Sequence, residues 1–267
     1  MAEKVLSIAE RRNKYAVPAL EKSLDIIEYL SEQAVPMTQA QIGRALGRQP
    51  GELFRMLTVL ETRGYLRRDG LTGGYALTLK LFELSRTHSP YEVLLRAAIP
   101  VMRQLADEVR ETCHLSVIHR DNILVLAQEE SPKPIRLSIE IGSRHSPLST
   151  ASGRILLGAM ERSERDAFLK RATDFFTRSE EERTAFLNRV VTAQSRGYEI
   201  AEGERFVGGL DLGVLVGDPG STINAALVIA TLKYADGPDL ESMLPALRDA
   251  ARRIAAQAGL TLEEPGA

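Results

Sequence analysis

The sequence predicts an α+β protein of two domains, an N-terminal winged helix-turn-helix and a C-terminal antiparallel sheet flanked by helices. Residues 36–78 contain two short helical patterns followed at once by a basic hairpin pattern. Strand-like runs joined by short turns lie between residues 113 and 231, with amphipathic helical patterns on either side. At 267 residues the chain is long enough to bury two separate cores.

The helix-turn-helix is predicted from capping residues and from apolar spacing. Thr38 can cap a first helix with Gln41 as its capping-box partner, and Gly47 supplies the permissive backbone of a tight turn. Pro50 suits the first turn of a second helix, which Gly64 ends. The expected buried positions are Ile42, Ala45 and Leu46 in the first helix and Leu53, Met56, Leu57 and Leu60 in the second.

A basic hairpin follows this pair of helices. Residues 65–68 and 75–78 are expected to be its strands, with the turn at 69–74. Helix, turn, helix and basic hairpin in this order are typical of a winged helix-turn-helix that binds duplex DNA. The candidate DNA-binding residues, which can bond base edges or phosphates, are Thr38, Gln39, Arg48, Gln49, Glu52, Arg55, Arg67 and Arg68. The alternative is a helical bundle with solvated arginines, and the hairpin argues against it.

Helical periodicity also predicts helices outside this motif, over residues 19–33 and 79–85. The first has an apolar face formed by Leu20, Leu24, Ile27 and Leu30. Pro90 disfavours helix at the preceding residue, so the linker between the domains is placed at 87–90. The expected C-terminal helices cover 92–111, 151–160, 163–172, 180–196 and 239–258, and the expected strands cover 113–120, 123–129, 135–141, 211–217 and 223–231, with Asp121-Asn122 as the first turn.

Charge and cysteine content suit a cytoplasmic DNA-binding protein. Residues 1–91 contain 13 Lys and Arg against 10 Asp and Glu, whereas the remainder contains 21 against 26, so a mildly basic domain precedes an acidic one. One cysteine, Cys113, allows no intrachain disulfide, which suits a reducing cytoplasm. Cys113 and His114 would point to opposite faces of one strand, so neither a metal site nor a cofactor is expected.

The N-terminal residues and the overall hydropathy bear on membrane targeting. Residues 1–16 are charged throughout and are expected to form a disordered tail rather than a signal peptide. The chain contains no apolar run of 18 residues, so no membrane span is expected.

Five segments carry a resemblance to a known family: VPALEKSLDIIEYL (17–30), LFRMLTVLETRGYLRRD (53–69), GGYALTLKLFELS (73–85), STASGRILLGAM (149–160) and SRGYEIAEGE (195–204). In this order they resemble the IclR family of bacterial transcriptional regulators, over about residues 17–258. The chain departs from the family at the start of the second helix, where Gly51-Glu52 replaces the usual Ser-Thr pair. Operator preference therefore cannot be carried over.

The resemblance implies a winged helix-turn-helix domain over 17–86 and a GAF-like effector-binding and oligomerisation domain over 92–260. It also implies a homodimer, or a dimer of dimers, on an operator of double-stranded DNA. Thr150-Ala151-Ser152-Gly153 precedes an apolar helix, so unpaired N–H groups and the positive end of the helix dipole would suit the carboxylate of an effector. The alternative is that Thr150 or Ser152 merely caps this helix.

Two further positions are aligned with the ligand pocket of the resembled family. Asp211 stands where many members line the pocket, although an exposed Asp at the start of a strand is the alternative. Val228 and Ala230 stand where the following strand often presents two serines, so a less polar pocket is expected. The expected effector-binding residues are Leu148, Thr150, Ala151, Ser152, Gly153, Asp211, Val228 and Ala230.

These observations together predict a DNA-binding transcriptional regulator controlled by a small-molecule effector, an organic acid of a catabolic pathway. The alternative is a metabolite-binding enzyme with a fused domain that resembles a DNA-binding one. The sequence has no nucleotide-binding glycine loop and no nucleophile elbow, so an enzyme is not expected. His114, His119 and His145 could converge in space, but nothing in their spacing requires it.

Overall fold

The computed structural model of the protein describes residues 17–87, 90–219, 221, 223–233 and 239–260. The chain divides into two compact units between Ser89 and Pro90, inside the predicted linker. Residues 88 and 89 of that linker, and the tail predicted over 1–16, lie outside the described residues. Across the described ranges, no helix combines the length and the apolar character that crossing a membrane requires.

The N-terminal unit is a winged helix-turn-helix, as predicted. Its elements are α1 (Pro18–Ser31), α2 (Gln39–Ala45), α3 (Pro50–Thr62), β1 (Leu66–Arg68), β2 (Tyr75–Leu77) and α4 (Lys80–Thr87). The two strands pair antiparallel with Leu66 opposite Leu77, and an isolated bridge joins Met37 to Tyr75. The hairpin is thereby attached to the segment that leads into α2.

Local interactions place the two helices of the motif as predicted. The Thr38 hydroxyl accepts from the Gln41 N–H, and the Gln41 side chain accepts from the Thr38 N–H, which completes the capping box. Gly47 follows α2 and Gly64 follows α3, with φ angles of +62° and +77°. This left-handed conformation favours glycine, and it ends each helix. The core of the unit consists of Ile26, Leu30, Ile42, Leu53, Leu57, Leu60, Leu66 and Tyr75.

Helix α1 packs differently from the predicted apolar face. Ile26 and Leu30 are buried, but Leu20 and Leu24 are 56% and 48% exposed. Because α1 packs on the core of the unit through its C-terminal half, the apolar side chains of its first two turns remain at the surface.

The C-terminal unit is a six-stranded antiparallel sheet with helices on both faces, which confirms the α+β class. Its elements are α5 (Pro90–Val109), β3 (Thr112–His119), β4 (Asn122–Glu129), β5 (Arg144–His145), α6 (Ala151–Ala159), α7 (Arg162–Arg171), α8 (Thr173–Phe176), α9 (Glu180–Arg196), β6 (Glu199–Glu202), β7 (Gly209–Val216), β8 (Ala225–Leu232) and α10 (Leu240–Ala258). The strand order is β5-β4-β3-β8-β7-β6.

The two faces of the sheet are covered by different helices. Residues of α5 and α10 pack on one face, and the core there includes Cys113, Leu115 and Val117 of β3. Helix α6 packs on the other face, where its Ile155 and Leu156 contact residues of β4 and β8 that include Val228. Side chains alternate along a strand, so the residues between those of the first core, His114 and Ser116, face the α6 side. Cys113 and His114 thus point to opposite faces, as expected.

The expected strand over 135–141 is wrong. Its backbone bonds to side chains instead of to a neighbouring strand: Leu137 O accepts from Thr112 Oγ1 at 2.7 Å, and Ile139 N donates to Gln128 Oε1. The edge of β4 is occupied by the next segment, since Val125 exchanges backbone hydrogen bonds with Gly142 and Ser143. Ile135 and Ile141 are 78% and 60% exposed, and Leu137 and Ile139 are only partly buried, so the alternation of polar and apolar residues over 135–141 does not mark a buried face.

Four further details differ from the predicted elements. The turn of the hairpin between β3 and β4 is Arg120–Asp121, one residue earlier than expected, because His119 pairs with Asn122. Helix α8 and the short strands β5 and β6 were not predicted. Each is at most four residues long, which is too short for a periodic pattern.

Candidate functional site

Helix α3 presents an exposed face opposite the buried Leu53 and Leu57. Arg55 lies on this face with its side chain in solvent. Phe54 beside it is 55% exposed, although its apolar character alone would assign it to the core. Phe54 lies one residue after Leu53 and three before Leu57, so it stands at the edge of the buried stripe, and its exposure is not evident from the spacing. An arginine and a phenyl ring are thus available on this helix for contacts in a DNA groove.

The candidate residues around the turn between α2 and α3 divide into two groups. Arg48 and Gln49 are exposed in the turn. Thr38 and Gln39 are partly buried and have partners, since Thr38 forms the capping box and Gln39 Nε2 donates to Pro50 O at 2.7 Å. The second pair therefore helps to hold α2 and α3 in place.

Glu52 has an intramolecular partner. Its carboxylate accepts from Lys22 Nζ of α1 at 2.9 Å, and this hydrogen bond, followed by the charge of Lys22, lowers the pKa of Glu52. The pair lies at the surface, where solvent weakens the attraction between the two charges. It joins α1 to the start of α3.

The hairpin presents Arg67 and Arg68 as exposed residues of β1. The Arg68 guanidinium lies 5.5 Å from the centre of the Tyr75 ring, which orients it. The turn is held by Asp69, whose carboxylate accepts from Thr72 N at 2.7 Å and from Thr72 Oγ1 at 2.8 Å. Hydrogen bonds from Thr72 lower the pKa of Asp69. Two cations on a well-formed hairpin suit contact with phosphate.

A cavity of about 360 Å³ lies on the α6 side of the C-terminal sheet. Its floor is formed by strands β3, β7 and β8, and its walls by the start of α6 and by two loops. The lining residues are His114, Ser116, Ile123, Leu137, Ser138, Ile139, Glu140, Ser143, His145, Thr150, Ser152, Ala201, Glu204, Arg205, Phe206, Gly209, Asp211 and Ala230. The volume is within the usual range for small-molecule sites, about 300–1,000 Å³.

Four of the eight predicted effector residues line this cavity, namely Thr150, Ser152, Asp211 and Ala230. Asp211 and Ala230 are directly opposite each other on β7 and β8. Thr150 also caps α6, since its hydroxyl accepts from Gly153 N at 3.1 Å. Thr150 therefore both caps α6 and lines the cavity.

The other four predicted residues are not among the lining residues. Leu148 packs in the core formed by α6, α7, α8 and α9, and Val228 packs beneath α6. Ala151 is buried, with 1% of its surface exposed. A Cβ atom on Gly153 would lie 2.0 Å from Pro147 O, so this glycine is required by the close approach of the backbone at 147.

The cavity is polar at positions that the sequence did not identify. His114 and Ser116 of β3 are 8% and 0% exposed. Within the described residues, neither His114 Nδ1 nor Ser116 Oγ has a hydrogen-bond partner. The available signal was the alternation of these polar residues with Cys113, Leu115 and Val117 in an otherwise apolar strand. His145 also reaches the cavity, and its Nε2 is 3.0 Å from Ser143 Oγ. Two of the three histidines considered thus converge.

Burial sets the protonation of the groups on the cavity floor. Burial, followed by the nearby charge of Glu204, raises the pKa of Asp211 to about 6, against the effect of Arg154 and Arg205. Burial, followed by the charge of His145, lowers the pKa of His114 to about 4. His114 is therefore neutral at pH 7, with one ring nitrogen as donor and the other as acceptor.

A buried cluster of ion pairs lies beside the cavity, centred on Arg154 of α6. Arg154 donates to Glu199 at 2.7 Å and to both carboxylate oxygens of Glu204, at 2.8 and 3.0 Å. Arg189 contacts the same two carboxylates, at 2.6 and 2.5 Å, and Arg196 donates to Glu199 at 2.8 Å. Burial acts to raise the pKa of Glu204, but its two arginine partners outweigh burial and hold the pKa low.

The thiol is unsuited to nucleophilic chemistry. Cys113 lies in the core between the sheet and α5, and burial raises its pKa to about 12. In the parts of the chain that the structure describes, no group of three or more His, Cys, Asp or Glu side chains could hold a metal ion.

The raised pKa of Asp211 predicts a pH dependence of stability. Between pH 4 and pH 6 the folded protein binds more protons at Asp211 than the unfolded chain does, so Asp211 makes the protein less stable as the pH rises. In Asp211→Asn this loss is absent. The melting temperature of the variant relative to wild type should therefore increase by a few degrees from pH 4 to pH 6 and then level off.

His114 has the opposite linkage, since its lowered pKa makes stability rise between about pH 4 and pH 6.5. It is present in both proteins, so the difference between wild type and Asp211→Asn isolates Asp211. Asp107→Asn, at an exposed position on α5, is the matched control and should show a constant difference. A constant difference for Asp211→Asn as well would show that Asp211 does not retain its proton in the folded protein.

Two family models match this chain. The model described as the IclR helix-turn-helix domain matches residues 19–70, and the model described as Bacterial transcriptional regulator IclR C-terminal matches residues 91–256. HTH-type transcriptional regulator KdgR of Escherichia coli (strain K12) is 30% identical over 251 residues, which cover 91% of this chain and 94% of KdgR. HTH-type transcriptional regulator BhcR of Paracoccus denitrificans (strain Pd 1222) is 25% identical over 245 residues, which cover 89% of this chain and 86% of BhcR.

Solved structures show the same fold. The crystal structure of an IclR homolog from Microbacterium hydrocarbonoxydans, complexed with 4-hydroxybenzoate, has a TM-score of 0.74 at 21% identity and covers 90% of this chain and 99% of that one. A transcriptional regulator from Rhodococcus sp. RHA1 has a TM-score of 0.72 at 24% identity and covers 91% of this chain and 98% of that one.

Proposed function

Because this chain belongs to the IclR family of bacterial transcriptional regulators, we propose that it binds an operator through its N-terminal unit and that a small organic acid in the C-terminal cavity controls this binding. The observation that carries the proposal is the presence of both parts in one chain: a winged helix-turn-helix with exposed arginines, and a cavity lined by buried polar groups. The 4-hydroxybenzoate in the Microbacterium hydrocarbonoxydans protein supports an acid as the ligand class.

In the proposed complex with DNA, α3 lies in the major groove and the hairpin lies along the backbone. Arg55 and Phe54 would contact bases or the thymine methyl group, and Arg67 and Arg68 would contact phosphates. Arg48 and Gln49 in the turn are exposed and can join either set. Thr38, Gln39 and Glu52 would act mainly by holding the helices, since each has a partner within the protein.

The hairpin arginines provide the test of DNA binding. The double variant Arg67→Ala, Arg68→Ala should bind every duplex more weakly, and the slope of log affinity against log salt should fall by about one unit for each phosphate that is no longer neutralised. Arg55→Ala should instead change the preference among operator sequences. Binding to a duplex from the protein's own promoter, measured by fluorescence anisotropy at several salt concentrations, distinguishes the two effects.

Arg96→Ala is the matched control for this experiment, because Arg96 is a highly exposed arginine of the C-terminal unit. It should leave both affinity and salt slope unchanged. A thermal melt confirms that the double variant is folded, which matters because Arg68 contacts Tyr75. An unchanged salt slope in the folded double variant would place the hairpin outside the DNA interface.

We propose that the regulator acts as a dimer or a dimer of dimers, because one recognition helix reads only a few base pairs. The N-terminal unit has exposed apolar side chains on α1 and around α4 that suit an interface, namely Val17, Leu20, Leu24, Leu79, Leu81, Phe82 and Leu84. Burying such side chains against a second copy would stabilise the pair by about 25 cal/mol for each Å² of apolar surface removed from water.

Charges placed in this surface should separate the subunits of the N-terminal interface. Leu20→Glu with Leu24→Glu should lower the molar mass in solution or weaken operator binding by at least tenfold, as measured by light scattering and anisotropy. Val35→Glu is the control, since Val35 is 63% exposed on the same unit but outside this surface. A wild-type protein that is monomeric at micromolar concentration and still binds its operator fully would contradict the proposed assembly.

The proposed effector has its carboxylate near the start of α6 and its body over Asp211 and Ala230. Gly153→Leu is an unsuitable test of this pose, because its side chain would collide with the backbone at Pro147 and disturb α6 itself. Ala230→Leu adds volume directly into the cavity instead.

Ala230→Leu should retain operator binding but lose its release by a responsive acid, because a ligand shifts an equilibrium only through its differential affinity for two states. Acids are first identified by thermal shift of the wild-type protein, and release is then followed by anisotropy. Ala185→Leu, the same change at an exposed position of α9, should respond as wild type does. Normal release from a folded Ala230→Leu protein would place the effector elsewhere.

The role proposed here is regulatory, in keeping with relatives that are transcriptional regulators. It places the protein in the cytoplasm, where the bacterial chromosome lies. An enzyme would be revealed by turnover of the identified acid, and no turnover is required for the proposed mechanism.

A further inference from the structure

The polar residues that β3 contributes to the cavity floor bear on which chemical groups the effector carries besides its carboxylate. His114 and Ser116 are buried in the centre of the sheet and line the cavity, and their side-chain atoms Nδ1 and Oγ lack partners in the described structure. Leaving a buried polar group without a partner costs about 1–3 kcal/mol, so such groups are seldom retained without a use. A ligand in the cavity is the available partner.

The strand register shows where this polarity lies. His114 is directly opposite Val228 and Ser116 is directly opposite Ala226, on the neighbouring strand β8. The residues of β8 on this face, Val228 and Ala230 among them, are apolar. The polar groups of the cavity floor are therefore supplied by β3, together with Asp211 on β7. The expectation of a less polar pocket holds for β8 but not for the cavity as a whole.

We infer that His114 and Ser116 form a subsite for hydroxyl or carbonyl oxygens of the effector, which makes the preferred ligand a hydroxylated acid rather than an apolar one. The inference rests on the proposed function, because it concerns the same cavity. Neutral His114 and the Ser116 hydroxyl each offer both a donor and an acceptor, which matches the hydroxyl group. Asp211 can accept from a further hydroxyl when ionised, or donate to a carbonyl when protonated.

The test uses pairs of acids that differ only in hydroxyl groups. Gluconate and hexanoate have the same number of carbons, and 4-hydroxybenzoate and benzoate have the same ring. Isothermal titration calorimetry on the full chain should show that at least one hydroxylated acid binds tenfold or more tightly than its partner. A site built to bond a hydroxyl rejects the analogue that lacks it, because its own buried groups then stay unpaired.

Two variants assign this preference to β3. Ser116→Ala should weaken binding of the preferred hydroxylated acid by about three- to tenfold, and His114→Phe by about tenfold or more, with little change for the acid without hydroxyls. Ser195→Ala is the matched control, because Ser195 is an exposed serine of α9 that is not among the lining residues of the cavity. It should leave the preference unchanged.

The outcomes decide the inference in either direction. A preference lost in Ser116→Ala supports it even if His114→Phe does not fold. It is overturned if no hydroxylated acid binds more tightly than its partner, if no acid binds at all, or if folded Ser116→Ala and His114→Phe proteins keep the wild-type preference. The proposed function fails separately. In that case the protein still discriminates between the acids but shows no salt-sensitive binding to the promoter duplex.

Discussion

The cavity depends on a buried cluster of charges beside it. Arg154 occurs in an otherwise apolar helix with 2% of its side chain exposed, and Glu199 and Glu204 neutralise it. Each carboxylate contacts at least two arginines, so the charges of the cluster compensate one another. Glu204 also lines the cavity, so the cluster attaches the loop after β6 to helix α6. Charge pairing and apolar packing together therefore determine the shape of the site.

The central strands place polar groups in the site without interrupting the main core. Cys113 and Leu115 pack against α5 and α10, whereas His114 and Ser116 on the same strand face the cavity. Because successive side chains point to opposite faces, one face can be polar while the other stays apolar. The sheet thus carries a binding surface on a rigid support, and the helices on its far side supply most of the packing.

The sequence predicted best what depends on neighbours along the chain. The capping box of Thr38 and the turns at Gly47 and Gly64 are local, and they determine the helix-turn-helix. The segment over 135–141 was misassigned because its backbone bonds to Thr112 and Gln128, which are distant in sequence. Of the predicted effector residues, those at the start of α6 came from the chemistry of a helix start as well as from the resemblance, whereas Asp211, Val228 and Ala230 came from the resemblance. Four of the eight line the cavity. Ser116 and Arg154 were not identified, and His114 was named only as a histidine that could converge with others. The polar alternation of β3 was visible in the sequence, but only tertiary contacts show that these residues share a site.

The two sides of the cavity differ in secondary structure. The β3 and β7 residues of the floor belong to strands paired on both sides, so they keep one arrangement. The opposite walls, residues 137–143 and 203–208, form neither helix nor strand. A ligand changes operator affinity only by binding one state of the protein better than another, and contacts that are identical in both states contribute nothing to that difference. In the proposed complex the floor would therefore determine which acid binds, and the loops would be the side whose contacts differ between states. Substitutions in the floor should change the ligand, and substitutions in the loops should change how strongly its binding is transmitted to DNA affinity.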